Sequence, residues 1–80
     1  MYKSTDKILE IIDSIVDSIT LERYYTGRWK VSIVDNKTLN RWVGNGKTLP
    51  EALFDAVVFI NTHSEILKFD IKDFYTDENI

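Results

Sequence analysis

The chain has 80 residues, 44% of them hydrophobic and 29% charged, with a net charge of −3 and no cysteine. That length makes one small domain, residues 1–80, which buries only about 60–65% of the surface its unfolded chain exposes, so its stability is marginal. The composition is too apolar for intrinsic disorder and too interrupted by charge for a membrane span, and the missing cysteines exclude disulfides and thiolate zinc sites.

The first predicted element is a helix over about residues 5 to 20, where Ile8, Ile12, Ile15 and Ile19 recur at helical spacing. Ser4, Thr5 and Asp6 supply capping oxygens for its first turn. Many of its residues are β-branched, so tertiary packing has to hold it. Residues 28 to 34 alternate with period two, which puts Trp29, Val31 and Ile33 on one face of a strand and Arg28, Lys30 and Ser32 on the other. A turn near Asp35-Asn36-Lys37 leads to a second strand, Thr38 to Val43. A three-residue loop with Asn36 or Lys37 left-handed pairs Val34 with Thr38 and groups the most aliphatic side chains. That register puts Leu39, Arg41 and Val43 on the face of Trp29, Val31 and Ile33 and leaves Trp42 on the opposite, solvent face with Lys30 and Ser32.

Thr48 and Glu51 form a capping box, with Pro50 in the first turn, and start a second helix that runs to about Thr62. It buries Leu49, Ala52, Leu53, Ala56, Val57 and Ile60, and its two alanines permit close approach to the sheet. Residues 64 to 73 read equally as strand or short helical turns, and residues 76–80 as a frayed acidic tail. The fold class is therefore α+β, in the order helix, strand, strand, helix, with an antiparallel hairpin packed on the helices. A two-stranded sheet is marginal alone. The expectation is either a third strand from residues 66 to 72 or a homodimer, formed through the sheet edge or through a flank made by Phe54 and Val58.

Charge is unevenly placed. Residues 20 to 47 carry Arg23, Arg28, Lys30, Lys37, Arg41 and Lys47 against Glu22 and Asp35, whereas residues 48 to 80 are mostly acidic. The hairpin interleaves its cations with aromatic rings, making Trp42, Arg28, Lys30, Arg41, Tyr24 and Tyr25 the candidate partner-binding set. An alternative acidic surface comprises Glu10, Asp13 and Asp17 on the first helix together with Asp70 and Asp73. Gly44-Asn45-Gly46-Lys47-Thr48 ends like a phosphate-binding loop, but Arg41 stands where the full pattern needs glycine, so it reads as a glycine-rich turn.

No nucleophile has an evident base and no carboxylate pair forms an acid/base couple, so the expectation is a protein that is not an enzyme, without cofactor or metal. His63 is alone and suits the end of the second helix. The N-terminal residues lead into a pattern containing aspartates rather than the apolar core of a secretory signal, and the expected compartment is the cytoplasm.

The stretch from Trp29-Lys30-Val31-Ser32-Ile33 to Thr48-Leu49-Pro50-Glu51-Ala52-Leu53-Phe54-Asp55-Ala56 resembles the small phage proteins of the ABA-sandwich group, in which a W-x-V strand precedes a T-x-x-E-A helix. Gly46-Lys47-Thr48-Leu49-Pro50-Glu51-Ala52-Leu53 is also similar to the G-x-T-x-x-E-A-L segment of HicB-like antitoxins, although no DNA-binding extension is recognisable. The phage resemblance implies a small non-catalytic inhibitor that binds a host protein, for instance a defence nuclease in the manner of an anti-CRISPR, in the host cytoplasm. Two alternatives stay open: a nucleotide or single-stranded nucleic-acid binder, and an antitoxin module.

Overall fold

The computed structural model describes residues 2–75. Helix α1, Thr5–Ile12, starts where Ser4 Oγ accepts the Lys7 N–H at 3.4 Å, and it buries Ile8 and Ile12. It does not continue to residue 20. One 3₁₀ turn, Asp13–Ile15, ends it, and strand β1, Val16–Arg23, follows. The isoleucine spacing that suggests helix coexists here with a period-two pattern, in which Ile19 and Leu21 alternate with Ser18, Thr20 and Glu22. Val16, Ile19 and Thr20 are β-branched, and a neighbouring strand decides between the two periods.

That neighbour is β2, Trp29–Asp35, which pairs on its other side with β3, Arg41–Gly46, in an antiparallel sheet of order β1-β2-β3. The chain is thus α+β as expected, with helix, three-stranded antiparallel sheet and second helix. Its third strand, however, comes from residues 16–23 and not from 66–72. The β1–β2 connection is tight. Tyr24 O accepts from the Gly27 N–H, Tyr24 N–H donates to Arg28 O, and Gly27 adopts φ 93°, the pattern of a turn closed by a glycine bulge.

The β2–β3 register also differs from expectation. Ile33 lies opposite Trp42, Val31 opposite Gly44 and Trp29 opposite Gly46. The cause is the buried Asp35. Its carboxylate accepts from the Lys37 N–H at 2.9 Å, the Thr38 N–H at 2.5 Å, Thr38 Oγ1 at 2.6 Å and Trp42 Nε1 at 2.8 Å. Its backbone receives the Leu39 N–H and donates to Asn40 O, closing a longer loop whose left-handed residue is Leu39, φ 59°, rather than Asn36 or Lys37. Trp42 is consequently 7% exposed and stands on the core face, not the solvent face, whereas Arg41 and Val43, expected on the core face, stand on the opposite one and Leu39 lies exposed in the loop.

Helix α2, Leu49–His63, starts where Thr48 Oγ1 accepts the Glu51 N–H, and it buries Ala52, Leu53, Ala56, Val57 and Ile60. It crosses β3 so closely that a Cβ on Gly44 would lie 2.3 Å from Ala52 O and from Ala56 N. Gly44 and Gly46 are therefore strand residues that admit a helix, not the glycine-rich turn expected. The helices cover one face of the sheet, where Ile8, Ile12, Val31, Ile33, Leu53, Val57 and Ile60 form the core.

Beyond α2 the described residues form no strand. The Asn61 side chain clamps Phe69, accepting its N–H at 2.7 Å and donating to its carbonyl at 2.9 Å. Asp70 then caps a 3₁₀ turn, Ile71–Phe74, that drives Phe74 into the core. Tyr2 bridges Tyr75, and both rings pack on Phe54, at 5.0 and 5.2 Å. Burial, followed by the nearby Tyr75, Glu51 and Asp55, raises the Tyr2 phenol above its ordinary pKa. Residues 76–80, read from sequence as a frayed tail, lie outside the described residues. No helix among the described residues is long and apolar enough to cross a membrane.

Candidate functional site

Among the described residues, helices lie on one face of the sheet only. Strand alternation places Ser18, Thr20 and Glu22 of β1, Lys30, Ser32 and Val34 of β2, and Arg41, Val43 and Asn45 of β3 on the other. Tyr24 and Arg28 extend the same face one row further, because their backbones pair across the mouth of the turn. The hairpin cations Arg28, Lys30 and Arg41 thus share an uncovered surface, with Arg28 and Arg41 about 20 Å apart along β2 and β3. Tyr25, at the tip of the turn, is fully exposed.

The centre of this face is the row Thr20–Ser32–Val43, in which small Ser32 is buried between its neighbours. It carries hydroxyls and a methyl-bearing side chain, and no ring. Glu22, opposite Lys30, is the one carboxylate on the face among the described residues. The other acidic residue of the hairpin region, Asp35, is fully buried on the core side and adds nothing to the surface seen by a partner. Burial pushes the Asp35 pKa up, but hydrogen bonds from the Thr38 hydroxyl and N–H, Trp42 Nε1 and the Lys37 N–H outweigh it. They hold the carboxyl well below the usual range. The buried group is an anion that fixes the loop.

Of the candidate set, the structure brings together Arg28, Lys30, Arg41 and Tyr24, places Tyr25 at the adjoining tip and removes Trp42. The indole is held between the Asp35 carboxylate and the Phe59 ring, 5.5 Å away, so it is not a contact residue on this surface. Its partner could have been found from Asp35-x-x-Thr38, a spacing that favours a side chain folding back on its own turn.

The acidic set is dispersed. Glu10 is on α1, where it pairs with Lys7 at 3.5 Å, Asp13 begins the 3₁₀ turn and Asp17 lies in β1. Asp70 caps the last turn and Asp73 lies within it. Glu10 and Asp13, with Asp6 and Leu9, line a shallow groove on the helix layer, so no stripe runs from Glu10 through Asp17 along one helix. Phe54, expected at an oligomer interface, is half-buried against Tyr2, Phe74 and Tyr75 of its own chain. Val58 instead lines a second groove with Val43, Asp55, Phe59, Thr62 and His63. His63 ends α2 with its ring edge-on to Phe59 at 4.8 Å.

Sequence reasoning put Leu39 on the core face and so missed it as a surface residue. It projects 66% exposed from the loop that Asp35 holds, in a backbone conformation that disfavours any β-carbon, between Lys37 and Arg41. Comparison with known proteins adds no relative: no family model, no curated protein and no solved structure matches the chain.

Proposed function

We propose that this is a non-catalytic binding protein that occupies an acidic surface of a partner protein with the open face of its sheet. The observation that carries the reading is the uncovered face bearing Arg28, Lys30, Arg41 and Tyr24, joined to the exposed Tyr25. Arginine and tyrosine are the side chains that most often dominate binding energy at protein interfaces, since they combine flat apolar area with directed donors. Lys30 and Arg41 sit in strands, and Tyr24 and Arg28 are tied by a backbone hydrogen bond across the mouth of the turn, which lowers the ordering cost on association.

The phage resemblance suggests the biological form of this activity: a small protein that blocks a host factor, such as a defence nuclease, in the host cytoplasm. A single-stranded nucleic-acid site is less well supported by the geometry. Such sites stack successive bases on aromatic platforms, and the row Thr20–Ser32–Val43 offers none. The antitoxin reading rests on the similarity of Gly46 to Leu53 alone, a segment that forms the end of β3 and the start of α2.

The test is affinity capture from host lysate on the immobilised protein, with and without nuclease, across a salt series. The proposal predicts a protein partner that survives nuclease and weakens as salt screens the cations. Loss of all partners on nuclease treatment, with a salt dependence as steep as counterion release from several phosphates gives, would replace it with a nucleic-acid site.

A further inference from the structure

The two edges of the sheet are not equivalent. At β3 the outer edge is guarded, because Asp55 on α2 reaches across it and accepts the Asn45 N–H at 2.9 Å. At β1 no described element pairs with the outer edge, although the strand is eight residues long and six of those residues are exposed. It contains no proline, and its bulge, between Val16 and Ser18, leaves residues 18–23 regular. Such an edge is a template for another strand. Its helix-side residues are also incompletely covered, with Ile19 half-buried and Leu21 41% exposed.

The order of residues along β1 says what fits there. In an antiparallel pairing of two β1 strands about a two-fold axis through Thr20, Ile19 faces Leu21 of the second copy, and Leu21 faces Ile19. Ser18 faces Glu22, and Asp17, at the bulge, faces Arg23. The apolar pair falls on one face, and each end places a carboxylate against a guanidinium. A two-fold interface requires this kind of self-complementarity, in which residue i meets j and j meets i. Cross-strand pairs of opposite charge and of apolar side chains are the ones that stabilise an antiparallel ladder.

We infer that β1 is the contact by which two copies of this chain associate, joining their sheets into one of six strands. The helices of both copies then lie on one side. The open faces form a single surface bearing two sets of Arg28, Lys30 and Arg41. This inference stands on the β1 edge alone and does not depend on what the open face binds.

A charge swap tests it. Asp17 and Arg23 are exposed, so Asp17→Arg and Arg23→Asp leave the fold intact, which circular dichroism checks. In analytical ultracentrifugation the native chain should sediment at twice its 9.4 kDa mass at high micromolar concentration. Each single variant should shift to the monomer mass, at least tenfold weaker in self-association. Mixing the two variants in equal amounts should restore the doubled mass, since every Arg then meets an Asp. Hydrogen exchange on the native chain gives a readout without substitution: β1 amides that face away from β2 should become protected as concentration rises. A native chain that stays monomeric, single variants that dimerise unchanged, a mixture that stays monomeric, or β1 exchange independent of concentration would each overturn the inference.

Discussion

Where α2 crosses β3, backbone lies almost on backbone, whereas β1 has six exposed residues in eight and borders an open sheet face. The first region is specified by what it lacks: Gly44 and Gly46 present no Cβ, and Ala52 and Ala56 present only one carbon each. The second is specified by what it carries outward. Together they describe a scaffold whose tolerance to change differs sharply between its two faces, so its stability and its binding should be separable by substitution.

Gly44→Ala is the harshest way to test that separation. The added carbon would overlap the α2 backbone, which has no flexible end to move aside, and about 3 kcal/mol should be lost. That is a large share of the ~4–12 kcal/mol expected for a domain of this size. Thermal unfolding should show it plainly, while Thr20→Ala on the open face should stay within about 0.5 kcal/mol. Equal effects at the two positions would erase the contrast.

Asp35→Asn comes next, with about 2 kcal/mol expected at neutral pH, because an amide cannot accept from all the donors gathered on the carboxylate. This group also sets an acid limit. Its folded pKa lies below its unfolded value near 4, so the stability it contributes is present above about pH 4 and is lost as pH falls below that. Denaturant midpoints measured at pH 7 and pH 3 should differ more for the native chain than for Asp35→Asn.

Smaller effects sharpen the picture. Thr48→Ala removes the acceptor for the Glu51 N–H and should cost about 1 kcal/mol in chemical denaturation. Leu39→Asn should go the other way and stabilise by about 0.5–1 kcal/mol, since asparagine tolerates the left-handed backbone better. A gain in stability coupled to weaker partner binding would mark Leu39 as a contact residue kept despite its conformational cost.

The α2 boundaries, the core face of β2 and the approach allowed by the two alanines were legible in the sequence, because capping chemistry and period-two alternation act locally. The β1 strand was not. Ile15, Val16 and Ile19 satisfy helix and strand periods alike, and only pairing with β2, ten or more residues away, resolves them. Trp42 was misplaced for a related reason. Its face depends on loop length, loop length depends on Asp35 turning inward, and the local sign of that turn, the Asp35-x-x-Thr38 spacing, does not fix the length of the loop. Of the candidate cations, Arg28 and Lys30 were read onto one face of the sheet and Arg41 onto the other, whereas the structure has all three on the same face. The first two follow from alternation within one strand. Arg41 joined them through the observed register and not through the expected one.

The central claim is that the open sheet face, and not the acidic helix layer, meets the partner. Affinity capture with two reversal variants tests it most directly: Arg28→Glu/Lys30→Glu/Arg41→Glu on the sheet, and Glu10→Lys/Asp13→Lys on the helix layer, with folding of both checked by circular dichroism. The sheet variant should lose the nuclease-resistant partner while the helix-layer variant retains it. Retention by the sheet variant together with loss by the helix-layer variant would contradict the central claim and move the binding surface to the opposite side of the molecule.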